Sequence, residues 1–237
     1  EYFETNIKGA RNVCEFAEKT GCQNIYFTSS ISIYGPTNSP TDENKEPCPI
    51  SPYGGSKYPA ELIHQLWQLK DPKRRLIIVR PGVIYGPGDP GNILRMIKAV
   101  KRRYFFYPGN KQVRKSYGYI YGLLDSIHFT MNSDEKLIIY NYVEHPTEKI
   151  SELVSIIKKV VDTRIPVISL PKGLLLLIAK VLNFFLGNSN PIHPVRVKKA
   201  STPTEIVPEY LLRNGFQFKY NFESSLVHWK EAKPDDF

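Results

Sequence analysis

Cysteine is scarce in this sequence, at three of 237 residues. Cys14, Cys22 and Cys48 show no metal-ligand spacing and make no even-numbered framework, which excludes a zinc module and a disulfide-stapled secreted scaffold. Thiols used this sparingly fit a reducing compartment, so a cytoplasmic protein with no bound metal is expected. Long apolar runs are also missing. The nearest approach, Gly173 to Gly187 (GLLLLIAKVLNFFLG), is too short for a membrane span and carries Lys180 and Asn183. It reads as an amphipathic helix packed on a lobe or lining an apolar pocket. Glu1-Tyr2-Phe3-Glu4 does not read as a signal peptide but as the middle of a helix. A truncated N-terminus is therefore expected. The net charge of +9 comes without a nucleic-acid motif, and the basic residues are mostly scattered. A solvated basic surface with room for an anionic ligand is expected, and no nucleic-acid partner.

What is present describes a globular chain, 41% hydrophobic and 23% charged, long enough for a substantial core. Apolar positions at helical spacing run from Tyr2 to Lys19 and stop at Gly21. Asn24 to Thr28 is a short, continuously apolar strand of the kind buried in parallel sheets. A hydroxyl-rich turn, Thr28-Ser29-Ser30-Ile31-Ser32-Ile33-Tyr34-Gly35, follows it. Ligands of open α/β sheets bind at the carboxyl ends of strands, where this turn falls. A proline-rich loop spans Thr37 to Pro52, and a helix follows to about Lys70. Arg75 to Arg80 is a second apolar strand, leaving through Pro81-Gly82-Val83-Ile84-Tyr85-Gly86.

Beyond Pro90 the pattern loosens. Helices are expected over Asn92–Arg102, Leu123–Met131, Thr147–Val161 and Pro171–Leu186, and near Phe222–Trp229. Strands are expected at Tyr104–Tyr107, Lys136–Tyr142 and Ile165–Leu170, with short pieces at Val195–Ala200 and Glu205–Asn214. The fold class that follows is α/β, the C-terminal part of a Rossmann-type parallel-sheet domain plus a smaller α+β substrate-binding lobe. The first domain is drawn over residues 1–90. The lobe occupies mainly 91–237, with some segments returning to the first domain.

The chemistry centres on Pro52-Tyr53-Gly54-Gly55-Ser56-Lys57. Tyr53 and Lys57, four residues apart, share one helical face at about 6 Å. A fixed positive charge beside a phenol favours the phenolate, and a tyrosine so tuned can exchange a proton with an alcohol or ketone. The expectation is that Lys57 draws the Tyr53 phenol down.

TSSISIYG, YGGSK and RPGVIYGPG, in that order, make the chain resemble the extended short-chain dehydrogenase/reductases, the NAD(P)-dependent epimerases and dehydratases. The resemblance runs from YFETNIKGARNV to the C-terminal RNGFQFKY and LVHWKE. It implies NAD or NADP as cofactor, Tyr53 as acid/base, Lys57 as its partner at the nicotinamide ribose, and Ser30 on the substrate oxygen. Thr28, Ser29, Pro81, Gly82 and Val83 join Tyr53 and Lys57 as cofactor contacts. Ser30, Ser32, Arg114 and Arg196 are the substrate-binding candidates, with Lys111 and Lys115 beside Arg114. Asn6 matches a recurrent helix asparagine with a mainly structural role. A homodimer through helices 2–19 and 53–70 is implied.

Departures from the family pattern narrow the reaction. Ile31 and Ser32 stand where 4,6-dehydratases carry an Asp-Glu pair, and the cysteine of epimerase-reductases is missing from the Ser32 position. A 4-epimerase or 4-keto-reductase of a nucleotide sugar remains. A hydroxysteroid-type or other lipid alcohol dehydrogenase is the alternative, suited to the apolar segment Leu174–Leu186. A non-catalytic Rossmann-like binding subunit is the alternative of another class. The Gly-rich turn that binds pyrophosphate has no counterpart here. The chain alone is thus expected to bind NAD(P) weakly or not at all, and tight binding in a calorimetric titration would contradict this.

Overall fold

The computed structural model describes residues 1–37, 39–108, 110–164, 166–171, 173–178, 180 and 202–237. The chain forms two compact units. The first comprises Glu1–Ile84, Ser116–His145 and Glu205–Lys219, and the second Tyr85–Lys115, Pro146–Thr204 and Tyr220–Phe237.

In the first unit a π-helical turn, Glu4–Lys8, leads into α1 (Gly9–Thr20). Strand β1 (Asn24–Thr28) follows, then a 3₁₀ turn at Ile31–Tyr34 and the long helix α2 (Pro52–Leu69). Strand β2 (Arg75–Pro81) runs into β3 (Val83–Tyr85), whose last residue falls in the second unit. After the second unit's α3 (Asn92–Lys101) and β4 (Tyr107–Pro108), the chain returns through β5 (Tyr117–Tyr119), α4 (Ile120–Met131) and β6 (Leu137–Tyr142). The second unit resumes with α5 (Ile150–Val160) and β7 (Ser169–Leu170). The short helix α6 (Glu209–Arg213) belongs to the first unit and α7 (Phe222–Ala232) to the second.

The sheet of the first unit is parallel, in the order β1-β2-β6. Phe27 pairs with Ile78 across β1 and β2, and Ile78 with Ile139 across β2 and β6. Strand β2 is therefore central, and its continuous apolar run has a physical cause. Successive side chains point to opposite faces. Leu76 and Ile78 pack with Cys14, Ala17, Ile25 and Trp67, from α1, β1 and α2. Ile77 and Val79 pack with Leu123, Tyr140, Leu211 and Phe216 on the other side. A strand covered on both faces cannot alternate apolar with polar.

Helix α2 starts where the sequence signals it. Ser51 accepts the Gly54 N–H at 3.1 Å as N-cap, and Pro52 occupies the first turn. Such a cap stabilises a helix by about 1 kcal/mol. The helix continues through Pro59 to Leu69.

In the second unit, α5 packs on α3 and α7. Ile93, Ile97, Leu153, Ile157, Leu226 and Trp229 form buried surface there. The Trp229 Nε1–H donates to Asp236 Oδ2 at 2.8 Å, so the indole's polar atom is satisfied inside the core.

The α/β class with a parallel sheet is as expected from the sequence, and β1, α2 and β2 match to within a residue. Two expected strands shrink. Tyr104–Tyr107 contracts to the two-residue β4, paired in parallel with β7, itself the remnant of Ile165–Leu170. Pro108, Pro166 and Pro171 carry no N–H to extend that ladder, although the apolar pattern alone suggests it should continue. Residues 173–178 are helical, as expected for the start of Pro171–Leu186. The rest of that helix beyond Lys180 and the piece at Val195–Ala200 lie outside the described residues.

Ile78 is fully buried at the centre of the sheet. Ile78→Ala should lower stability by about 2–5 kcal/mol, measured as a fall in the urea midpoint of the first unit.

Candidate active site

The site is built at the carboxyl ends of β1 and β2. Strand β1 ends at Thr28, and the Ser29 N–H donates to Val79 O at 2.8 Å, extending the parallel ladder one residue beyond the strand. Ser30 then breaks away as the N-cap of the 3₁₀ turn. Its Oγ accepts from the Ser32 N–H at 3.2 Å and from the Ser32 hydroxyl at 3.0 Å. A serine hydroxyl has two acceptor sites and one proton to give. With both acceptor sites used, the Ser30 hydroxyl has only its proton left to give.

Tyr53 lies in the first turn of α2 and is about one-third exposed, at 37%. Burial pushes its phenol above the ordinary value, and a hydrogen bond with Ser30 pulls it the other way. Lys57 is one turn on. Burial lowers its ammonium, and the Glu61 carboxylate opposes that. Its Nζ donates to Thr28 O at 2.9 Å and stands over the rings of Phe27, 5.1 Å from the centroid, and Tyr53, 5.9 Å away. The structure thus brings Thr28, Ser30, Tyr53 and Lys57 into one cluster. It corrects one expectation: the phenol is shifted up, not down. The reason is that the ammonium lies over the aromatic face and is tied to a main-chain carbonyl, while loss of water dominates at the hydroxyl.

Gly54 explains why the helix can come so close. A Cβ there would sit 2.4 Å from Ser32 O, so a side chain would drive Tyr53 away from the serine turn. Asn6 adds a second fastening. Its Nδ2 donates to Ser56 Oγ at 2.8 Å, and the Ser56 hydroxyl donates to Tyr53 O at 2.8 Å. The π-helical turn carrying Asn6 is thereby pinned to the start of α2.

The exit of β2 supplies the third side. Gly82 N donates to Tyr142 O at 2.8 Å, and Val83 N donates to Ser116 O at 3.0 Å. A Cβ at Gly82 would lie 2.6 Å from Ser116 O and 2.8 Å from Val143 Cγ1, so this loop accepts only glycine without shifting. Val83 is exposed. The Ser29 hydroxyl is buried with no hydrogen-bond partner among the described residues. A buried hydroxyl without a partner costs about 1–3 kcal/mol, which fits a residue kept for a bound group.

The remaining candidates lie elsewhere. Arg114 belongs to the second unit, where its guanidinium donates to Thr147 O. Lys115, next to it, donates to Thr202 O, and burial lowers its ammonium to about 8. Arg196 lies outside the described residues.

Sequence reasoning passed over three residues at this site. Arg80 ends the apolar part of β2 and is buried, as are Glu61 and Tyr34. Arg80 Nε donates to Glu61 Oε1 at 3.0 Å and Nη2 to Glu61 Oε2 at 2.7 Å. Its Nη1 donates to Tyr34 Oη at 2.8 Å. The signals were available: a charge closing a fully apolar strand, and a glutamate at helical spacing behind Tyr53 and Lys57.

A sequence model of the NAD dependent epimerase/dehydratase family matches residues 1–142. The N-acetyl-alpha-D-glucosaminyl-diphospho-ditrans,octacis-undecaprenol 4-epimerase of Escherichia coli O157:H7 is 31% identical over 245 aligned residues, covering 99% of this chain and 74% of the relative. Among solved structures, the UDP-glucuronic acid 4-epimerase of Bacillus cereus in complex with UDP-glucuronic acid and NAD matches with a TM-score of 0.72. It is 17% identical, with 99% of this chain and 69% of that one covered. The structure of RMD from Pseudomonas aeruginosa complexed with NADPH matches with a TM-score of 0.71 at 18% identity, covering 97% and 73%. These two likenesses speak to the fold. The chain spans about seven tenths of the length of these relatives. With a family match over more than half its length and a relative 31% identical across nearly all of it, the chain belongs to the NAD-dependent epimerase/dehydratase family.

Proposed function

We propose that this protein is an NAD(P)-dependent 4-epimerase acting on a sugar carried by a diphosphate, with Ser30, Tyr53 and Lys57 as its reacting groups. The observation that supports this most is the Lys57 ammonium, tied to Thr28 O and standing over the Tyr53 ring, at the edge where Ser30 acts on the Tyr53 phenol and pulls it down. Tyr53, when deprotonated, takes the proton from the sugar hydroxyl on its phenolate oxygen and, as the phenol so formed, returns it. The Ser30 O–H donates to the same oxygen. Lys57 keeps a positive charge on that side of the cluster. A nicotinamide bound here supplies hydride acceptance and return at the sugar carbon. The partnerless Ser29 hydroxyl, the tight loop Pro81-Gly82-Val83 and Thr28 are the residues that would hold it. The reading takes the pyrophosphate-binding Gly-rich turn to lie outside these 237 residues.

A nucleotide sugar is the first reading for the substrate, with Arg114 and Arg196 as candidate phosphate ligands. A 4-keto-reductase differs in starting from the ketone: it would take one hydride from a reduced nicotinamide and one proton from Tyr53, and the oxidised cofactor would leave. A second reading exchanges the nucleotide for a polyprenyl carrier. The E. coli relative is named for such a substrate, and Leu174 and Leu177, in the apolar run, are exposed. One panel separates these readings, using the complete open reading frame that encodes this chain. UDP- and GDP-sugars, a polyprenyl-diphosphate N-acetylhexosamine and apolar ketones are each supplied with NAD or NADPH. Turnover of ketones alone would sink both sugar readings. Tyr53→Phe should lower turnover of the accepted sugar by roughly 10²–10⁴-fold with little change in stability. Unchanged turnover would remove Tyr53 from the chemistry.

We also read the outer face of α1 and α2 as a homodimer surface. Val13, Phe16, Leu62, Leu66 and Leu69 are exposed along these two helices, which pack on each other. A double change, Phe16→Arg with Leu66→Arg, should convert a dimer to a monomer in light scattering at unchanged helicity. A parent protein that is already monomeric would end this reading.

A further inference from the structure

Three segments that the proposed reaction must keep in register converge on one guanidinium. Arg80 immediately precedes the Pro81-Gly82-Val83 loop. Its Nε and Nη2 grip both oxygens of Glu61, which lies one helical turn beyond Lys57 and two beyond Tyr53. Its Nη1 donates to Tyr34 Oη, the last residue of the turn that Ser30 caps. That phenol passes the connection on, donating to Asn141 Oδ1 at 2.9 Å. Asn141 sits on β6, where its N–H donates to Glu43 Oε1 at 2.8 Å and fastens the proline-rich loop over the same edge. Arg80 is 5% exposed and Glu61 fully buried.

We propose that Arg80, gripped by Glu61, is the positioning residue of the active site, holding the Ser30 turn, the Tyr53–Lys57 helix face and the Pro81–Val83 loop in one geometry. The proposal rests on the Ser30, Tyr53 and Lys57 reading above. The physical argument starts from cost. Desolvating two charges offsets much of their attraction, and well-packed apolar residues of similar volume stabilise a core as well or better. A buried pair therefore has a poor rationale as a source of stability. What it supplies is direction. A guanidinium fork on a carboxylate fixes distance and plane together, and the third donor on Tyr34 adds a fixed angle. Apolar contacts would let α2 slide against β2. Reacting groups misplaced by about 1 Å lose roughly 10²-fold in rate.

The test replaces both partners. Removing only one leaves an uncompensated buried charge, which destabilises the chain for reasons unrelated to the site. The double variant Glu61→Leu/Arg80→Met removes one charge of each sign and keeps the net charge, and Arg80→Lys, which keeps Glu61, separates geometry from the field of that carboxylate on Lys57. The double variant should fold with a urea midpoint near the parent's. In the 237-residue chain with ¹³C-labelled tyrosine, the Tyr53 Cζ resonance should shift while that of exposed Tyr104 stays in place. In the complete open reading frame, kcat should fall roughly 10²-fold with KM within about twofold. Arg80→Lys, which keeps the charge and loses the fork, should show the same pattern more weakly and decides the matter if the double variant does not fold. A folded variant with an unmoved Tyr53 resonance or full turnover overturns the proposal. If the parent turns over no sugar, the functional reading fails, and the resonance still decides this one.

Discussion

Strand β2 is hydrogen-bonded along both edges and covered on both faces, and the rest of the first unit is arranged to satisfy it. Its main-chain groups pair with β1 and β6, which meets their demand for partners inside the core. Its side chains divide by parity between the α1/α2 layer and the α4/α6 layer. Because β2 can satisfy both demands in one register only, its exit point is fixed. Pro81 emerges beside Tyr142, and Thr28 at the end of β1 faces Val79 across the ladder. The residues proposed to react inherit their positions from that packing.

Charge enters this apolar layer at the end of β2. Arg80 closes the strand, and burial pulls its guanidinium down, but the hydrogen bonds and charge of Glu61 more than offset this and hold it above its ordinary value. Tyr34, on the same guanidinium, is pushed up to about 12 by burial despite the adjacent positive charge. At the mouth of the site the balance differs. Tyr53 and Lys57 are each shifted toward the neutral form, because each loses water without a full set of partners. The buried charges of Arg80 and Glu61 are paired with each other. Those at the edge are incompletely satisfied, which is the condition of groups that must exchange a proton.

Much of the fold is legible along the chain for a simple reason. Where an element is buried on both faces or carries its own start signal, local pattern and tertiary context agree. The apolar runs of β1 and β2 and the Ser51-Pro52 start of α2 are of this kind. Agreement fails in the second unit, where prolines interrupt segments whose hydrophobicity alone would extend them, as at β4 and β7. It also fails for Arg80 and Glu61. Their linear neighbours are ordinary, and nineteen residues separate them, so no local periodicity joins them into a pair.

The sequence by itself determined the order of elements, the family and the chemical types gathered at the sheet edge, because each is written in residues close together along the chain. Tyr53 and Lys57 share a face by helical geometry alone. Tertiary structure decided the rest. It set the phenol's shift upward, since burial is a property of the surroundings and not of the motif. It placed Ser32 on both acceptor sites of Ser30, so that this hydroxyl has only its proton left to give. It brought a strand-end arginine, a helix glutamate and a turn tyrosine onto one hydrogen-bonded centre, which is a matter of three-dimensional distance that spacing along a chain does not encode.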